Sequence, residues 1–399
     1  MAETRGFLLF GRRFKSARYL NVVYKVGDLP CDSICFPPDL DSTDAVASAA
    51  GSQGLEVHVS QTVSLRRLKF SRSRSKDRTS ASVSSSYRIQ AYAIVVAWVF
   101  LFLIFSLLLP EVFPTWQNVT SIANQKAATV LLTLGLVFAL SAGEFDLSIG
   151  GVVSLGAAIP AWLATEKGLS LPVAILVALV FAALFGFING LLSVKAKIPS
   201  LVVTLGTGTA LGGIVSGIAG NTTLSVQTFS FVALVKTRIF GFYAAFWFML
   251  IIAFIAWYVL EHTPVGRQLY FVGQGREVAR LAGIRTNAYR YYSLILCSTL
   301  AALAGAVVLT TAGAAQSSIG KSYVLPAFAA AFLGSTAIRP GRFNVWGTVV
   351  AVYFLETGIT GLQLKGFEVW ITDVFYGLAL VIGVLVATVA SNLRSRSSD

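Results

Sequence analysis

From Gln90 onward the chain is a succession of apolar segments, separated by short polar, glycine- or proline-bearing joins. Each is close to the roughly 20 residues that a helix needs to cross a bilayer. They fall near 90–109, 122–142, 147–165, 171–194, 199–219, 241–260, 290–312, 323–337, 343–362 and 370–390. Inside lipid a segment must satisfy its own backbone polar groups, which selects helices. The expected fold is therefore all-α, a polytopic helical membrane protein with about 10 transmembrane helices and both termini on one side. The short segments at 323–337 and 343–362 are also compatible with merging or re-entering.

Composition supports this reading. Of 399 residues, 55% are hydrophobic and 12% charged, with a mean hydropathy of +0.74. An average soluble domain carries roughly 25% charged residues. The formal charge of +13 is not a nucleic-acid signal, because the basic residues sit in an N-terminal segment and in joins between apolar segments, where they set orientation. With a cytoplasmic N-terminus, the inside joins hold Lys195 and Lys197, then Arg267, Arg276, Arg280, Arg285 and Arg290, then Arg339 and Arg342, then Arg394 and Arg396. The outside joins hold fewer: Lys167, Lys236, Arg238, Lys321 and Lys365.

The chain divides into three regions. Residues 1–88 form a basic segment with runs such as Ser71-Arg72-Ser73-Arg74-Ser75-Lys76 and Ser84-Ser85-Ser86, read as mostly disordered and cytoplasmic. Phe7-Leu8-Leu9-Phe10 is too short for the apolar core of a cleaved signal. Residues 89–393 form the transmembrane domain, with a basic cytoplasmic loop at about 262–289, and 394–399 form a cytoplasmic tail. Cys31, Cys35 and Cys297 offer no disulfide framework, and with His58 and His262 as the two histidines no metal site is expected.

The stretch Gly143-Glu144-Phe145-Asp146-Leu147-Ser148-Ile149-Gly150-Gly151 interrupts the apolar region from Ala127 to Leu163 and places two carboxylates where carboxylates are costly. Its glycines permit a helix break, and Asp146 or Ser148 can cap the helix that restarts. Two readings stand: a polar turn with its acids facing the cytoplasm, or a broken helix lining a pathway. Two further acids, Glu356 and Asp373, also fall inside apolar segments; either pathway function or structural pairing accounts for them.

In the basic loop, Pro264 and Gly266 end the sixth segment. The run Arg276-Glu277-Val278-Ala279-Arg280-Leu281-Ala282-Gly283 then has a short amphipathic pattern, with Val278, Leu281 and Ala282 on one face and Gly283 as terminator. Such a helix suits docking to a soluble partner or lying on lipid. Small residues at Ala302, Gly305, Ala306, Ala327, Ala329, Ala330, Ala331 and Gly347 suit close helix packing.

Four stretches, taken in order, resemble a known family. Ser141-Ala142-Gly143-Glu144-Phe145-Asp146-Leu147-Ser148-Ile149-Gly150 is similar to the Gly-Gly-Ile-Asp-Leu-Ser-Val-Gly signature of bacterial ABC-importer permeases of the monosaccharide (ribose, xylose, arabinose, galactoside) branch. Asn189-Gly190 with Pro199-Ser200-Leu201-Val202-Val203-Thr204-Leu205-Gly206-Thr207, Thr263-Pro264-Val265-Gly266-Arg267 with Ala279-Arg280-Leu281-Ala282-Gly283-Ile284, and Leu333-Gly334-Ser335-Thr336 with Val345-Trp346-Gly347-Thr348 resemble its later motifs. Departures are Glu144 where the family has a small or apolar residue, Gly275-Arg276-Glu277 in place of Asn-Pro-Glu, and Ala337-Ile338-Arg339-Pro340.

The resemblance implies a type II-like import permease of the bacterial inner membrane, working as a homodimer or with a similar subunit. A periplasmic binding protein would deliver a monosaccharide. A separate cytoplasmic ATPase would bind ATP and magnesium, since this sequence has no Gly-x-x-x-x-Gly-Lys-Ser/Thr phosphate loop, and the chain itself would carry no cofactor and no catalytic residue. Coupling to the ATPase would involve Arg276, Glu277, Ala279, Arg280, Leu281 and Gly283. The pathway would involve Gly143, Asp146, Ser148, Thr204, Thr207 and Ser335, with Ser154 as a further hydroxyl. Rival readings are a like-built permease for nucleosides, branched-chain amino acids or a furanosyl signal, and an ion-coupled secondary transporter using Glu144, Asp146 and Asp373. Against a charged amino acid stands the expectation that the acids have no deep arginine partners.

Overall fold

A computed structural model describes residues 76–397 apart from 221 and 228; the expected disorder of the chain before Lys76 lies outside these residues. The chain separates into two units, 1–72 and 73–399, and the described residues all belong to the second. The helices are α1 (Lys76–Leu108), α2 (Trp116–Ser141), α3 (Ile149–Glu166), α4 (Leu171–Val194), α5 (Ser200–Ala219), α6 (Ser230–Val235), α7 (Ala244–His262), α8 (Pro264–Gln274), α9 (Arg276–Leu281), α10 (Thr286–Ala312), α11 (Lys321–Gly334), α12 (Val345–Leu364) and α13 (Trp370–Ser397). Two small antiparallel pairs join them: β1 (Leu224–Ser225) with β4 (Ala314–Ala315), and β2 (Arg238–Ile239) with β3 (Phe242–Tyr243).

Every apolar segment of the sequence forms a helix, and eight of these helices are long and apolar enough to cross a membrane. The eighth segment falls short, because α11 has 14 residues. α13 holds a shorter apolar stretch, Trp370–Val386. α1 begins at Lys76, so the first span is the end of a longer helix that includes residues which composition assigns to the N-terminal segment. α2 begins at Trp116, six residues before the expected start, where the Thr115 side chain accepts the Asn118 N–H at 3.3 Å.

The ten long segments alternate in direction. One end of the bundle carries the break after Ser141, α8, α9 and the join 335–344, where the Ile338 N–H donates to the Ala91 carbonyl at 2.7 Å. The other end carries both strand pairs and α6.

Burial sorts the helices. α2 and α10 form the centre, with most of their length buried, whereas α1, α4, α5 and α7 turn apolar residues such as Val96, Leu176, Leu205 and Ile251 outward. The inner contacts use small residues as expected. Gly305 of α10 lies so close to α3 that a Cβ there would overlap the Val153 carbonyl oxygen, and Ala301, Ala302 and Ala304 are buried beside it. Close backbone approach of this kind is how helices associate in lipid, where apolar burial gives little preference.

Not all buried groups are apolar. Lys126 of α2 meets Glu356 of α12 at 3.0 Å, and the Tyr376 hydroxyl reaches the same carboxylate at 3.4 Å. Glu356 is thereby paired across three helices, with a lysine that the segment pattern does not flag. Asp373 lies exposed in the first turn of α13, near the end that carries the strand pairs, and not deep in the bundle.

Substituting Gly305 with Val forces α10 away from α3 and is expected to cost about 1–3 kcal/mol. The melting temperature of the detergent-purified protein should fall by several degrees, while Gly212→Ala, which meets open space, should leave it unchanged or raise it.

Candidate functional site

α2 is followed by Ala142, then Gly143 at φ +75°, a left-handed conformation that suits glycine. Non-helical backbone runs from there to Ser148, and inside a membrane protein its polar groups need partners. The Gly143 and Glu144 N–H groups still donate to the Leu140 and Ala139 carbonyls of α2; further along, the partners are side chains. Ser200 Oγ accepts the Phe145 N–H at 3.1 Å, and Thr204 Oγ1 accepts the Leu147 N–H at 3.0 Å while lying 3.1 Å from the Phe145 carbonyl.

Asp146 works locally: its Oδ1 accepts the Ser148 N–H at 2.9 Å and is bonded to the Ser148 hydroxyl. Ser148 stands at the N-cap of α3 without a side-chain cap bond of its own, so Asp146 supplies the turn that starts the helix. From Ser148 the chain of bonds continues: Asn189 Nδ2 donates to Ser148 Oγ at 2.9 Å, and Thr207 Oγ1 donates to Asn189 Oδ1 at 2.7 Å. The structure thus brings together Gly143, Asp146, Ser148, Thr204 and Thr207. Asp146, Ser148 and Thr204 are fully buried, and Phe145 is the exposed side chain of the break.

Ser335 lies elsewhere. It sits in the join after α11, where Phe332, Arg342, Phe343 and Val384 line a cavity of about 230 Å³, and its hydroxyl donates to the Phe332 carbonyl at 2.6 Å. Ser154 accepts the Gly320 N–H at 3.1 Å.

Glu144 has deep arginine partners, contrary to expectation. It is fully buried, and its Oε1 is bonded both to Arg276 Nη2, at 2.9 Å, and to Arg290 Nε. Arg290, counted in the sequence as a loop charge, is a buried residue of the second turn of α10, and its Nη2 also donates to the Ser193 carbonyl at 3.2 Å. Arg276 Nη2 donates to the Gly143 carbonyl at 3.1 Å. A carboxylate compensated by two guanidiniums is poorly placed to carry a coupling ion. Nearby, Arg339 pairs with Glu261 at 2.9 Å, and Trp257 Nε1 donates to the same carboxylate oxygen at 2.9 Å.

The loop after α7 differs from expectation in one respect. Pro264 and Gly266 do end α7, but Pro264 also opens α8, capped by the Thr263 side chain, which accepts the Gly266 N–H. α8 packs onto the break, its Gly273 against Gly143. α9 follows as six residues; Ala279 faces inward and is buried, whereas Val278 and Leu281 are 61% and 85% exposed. Arg280 and Glu277 pair on the exposed side at 3.5 Å, and Gly283 terminates the turn at φ +80°.

The family described as "Branched-chain amino acid transport system / permease component" matches residues 118–384, well over half of the chain. The chain belongs to this permease family. It is a multi-pass membrane protein and the permease component of a transport system. The ribose import permease of Haemophilus influenzae is 29% identical over 304 residues, covering 74% of this chain and 91% of that protein. The ribose import permease of Bacillus subtilis is 30% identical over 271 residues, covering 67% and 84%. An autoinducer 2 import system permease of Escherichia coli is 32% identical over 271 residues, covering 68% and 78%. No solved structure matches the chain.

Two outcomes test this geometry. Thr204→Val in this permease leaves the Leu147 N–H without its acceptor and is expected to destabilise the protein by about 1–3 kcal/mol; Thr209→Val, whose hydroxyl is exposed and bonds its own helix, should be close to neutral in the same thermal melt. Tyr270 of α8 donates its hydroxyl to the Phe343 carbonyl. Burial, with some help from the charge of Glu261, pushes its hydroxyl from 10.0 up to about 12. The folded state therefore holds the phenolic proton more tightly, a contribution complete below pH 10 and lost as pH rises to about 12. Stability measured across that window should fall less steeply in Tyr270→Phe.

Proposed function

We propose that this permease imports a monosaccharide across the bacterial inner membrane, driven by a separate cytoplasmic ATPase that docks on α9. The observation that carries the proposal is the pair Val278 and Leu281, which α9 presents outward while Ala279 and Arg276 hold the helix to the bundle. A small apolar knob on a fixed helix suits insertion into a groove of a soluble partner, and the basic residues around it support a cytoplasmic position for that end of the bundle. Both termini of the chain then face the cytoplasm.

In this reading ATP and magnesium are bound by the partner, and this chain contributes no catalytic residue. A periplasmic binding protein delivers the solute at the opposite end, and a second copy of the chain completes the pathway. The sugar assignment is supported by the relatives, which import ribose or autoinducer 2 by name, and by the chemistry of the break. Its hydroxyl and amide side chains are neutral and suit a polar, uncharged solute, and its Glu144 is compensated by two arginines.

Co-purification of the tagged chain with its ATPase tests the docking surface. Arg280→Glu combined with Leu281→Asp should remove the ATPase while leaving the amount and melting of the permease unchanged. Retention of the ATPase by this double variant would place the docking site elsewhere; uptake on an ion gradient without any ATPase would end the importer reading.

A further inference from the structure

The arginines that meet on Glu144 are not equivalent. Arg290 belongs to the membrane helix α10; its side chain is 11% exposed and is anchored a second time on the Ser193 carbonyl of α4. Arg276 is the first residue of α9; its side chain is 47% exposed and is anchored a second time on the Gly143 carbonyl, within the break. One buried carboxylate thus receives a charge from the docking helix and another from the bundle.

We propose that the Glu144–Arg276 pair is the positioning link that carries movement of α9 into the membrane. The proposal rests on the reading that an ATPase docks on α9. When the docking helix shifts, Arg276 draws on the break at two points, the Glu144 carboxylate and the Gly143 carbonyl, and the break follows. The break is in turn bonded to α5 through Ser200 and Thr204, and to α4 through the Ser148–Asn189 bond, so displacement of six residues is delivered to two spans. Arg290 stays on the same carboxylate while the Arg276 contact lengthens, which allows the link to move rather than act as a fixed staple.

The link is read directly at Phe145, the exposed side chain of the break. The full-length chain carries Phe145→Cys, with Cys31 and Cys35 changed to Ser and the buried Cys297 retained. It is purified with its ATPase, placed in lipid nanodiscs and labelled with a water-soluble maleimide, with and without ATP plus vanadate. The chain lacking Phe145→Cys supplies the background from Cys297. In the parent, trapping the nucleotide should change the labelling rate about fivefold or more, the scale of an ordinary coupling between sites.

Because Glu144→Gln alone strands Arg290, the variant to compare is Glu144→Gln with Arg290→Met, which removes the buried charges together. It should retain the ATPase and lose the nucleotide response, as should Arg276→Gln, whereas Arg276→Lys, which keeps the charge, should preserve it. An undiminished response in the double variant overturns the link. So does loss of the ATPase itself in Arg276→Gln, since that would make Arg276 part of the docking surface. Absence of the ATPase from the parent complex would instead overturn the docking reading on which the link depends.

Discussion

A backbone that stops being helical between Ser141 and Ile149, in the middle of a buried bundle, has to be given back the hydrogen bonds it forgoes. Water cannot supply them at Asp146 or Ser148, which are enclosed by protein. The remainder of the inner architecture is arranged around that need. α5 starts with Ser200 and places Thr204 one turn later, so two hydroxyls address Phe145 and Leu147; α4 brings Asn189 to Ser148. Each of these bonds is modest in water, but each satisfies a group whose burial without a partner would be expensive. The break consequently fixes the mutual register of α3, α4 and α5 more firmly than apolar contact in lipid could.

The charges follow a second rule, that a buried ion needs a partner with adequate geometry. Glu144, Glu356 and Glu261 are the buried or nearly buried acids with ion pairs among the described residues, and each partner comes from a distant part of the sequence: Arg276 and Arg290, Lys126, and Arg339. The arginines at the α8–α9 end therefore serve twice. Their excess at one end is the kind of asymmetry that orients membrane helices, and individually they close contacts that tie joins to helices. Arg342, lying over the Tyr270 ring at 5.6 Å, with the Tyr270 hydroxyl on the Phe343 carbonyl, shows the same dual use.

These contacts explain what the sequence reveals and what it hides. Apolar runs alone place all ten helices, and eight of these have the length and apolarity that lipid selects. The start of α2 is misplaced because Gln117, Asn118, Thr120 and Ser121 interrupt the apolar pattern, yet those residues lie on a helix most of whose length contacts protein. α8 is missed because Pro264 reads as a stop, although the same proline is a good first residue once Thr263 caps it. In the site, the break and its hydroxyl partners are legible from their residue types. The pairing of Glu144 is not, since a sequence shows that an arginine exists but not that the second turn of α10 turns Arg290 inward. Asn189 did carry a signal, a lone amide in an apolar span.

The size of α9 has a consequence of its own. Six residues cannot sustain a helix in isolation, because nucleation is costly and a single short helix regains too few bonds. α9 is therefore helical because the bundle holds it, through the burial of Ala279 and the reach of Arg276 to Glu144 and Gly143. A surface held in this way is already formed before any partner arrives, so association with it need not meet the entropy of ordering the loop. The contacts that preform the proposed docking surface are also the ones through which force on it would pass. A surface helix of this length, held through Arg276, cannot be made rigid without at the same time being connected to the break.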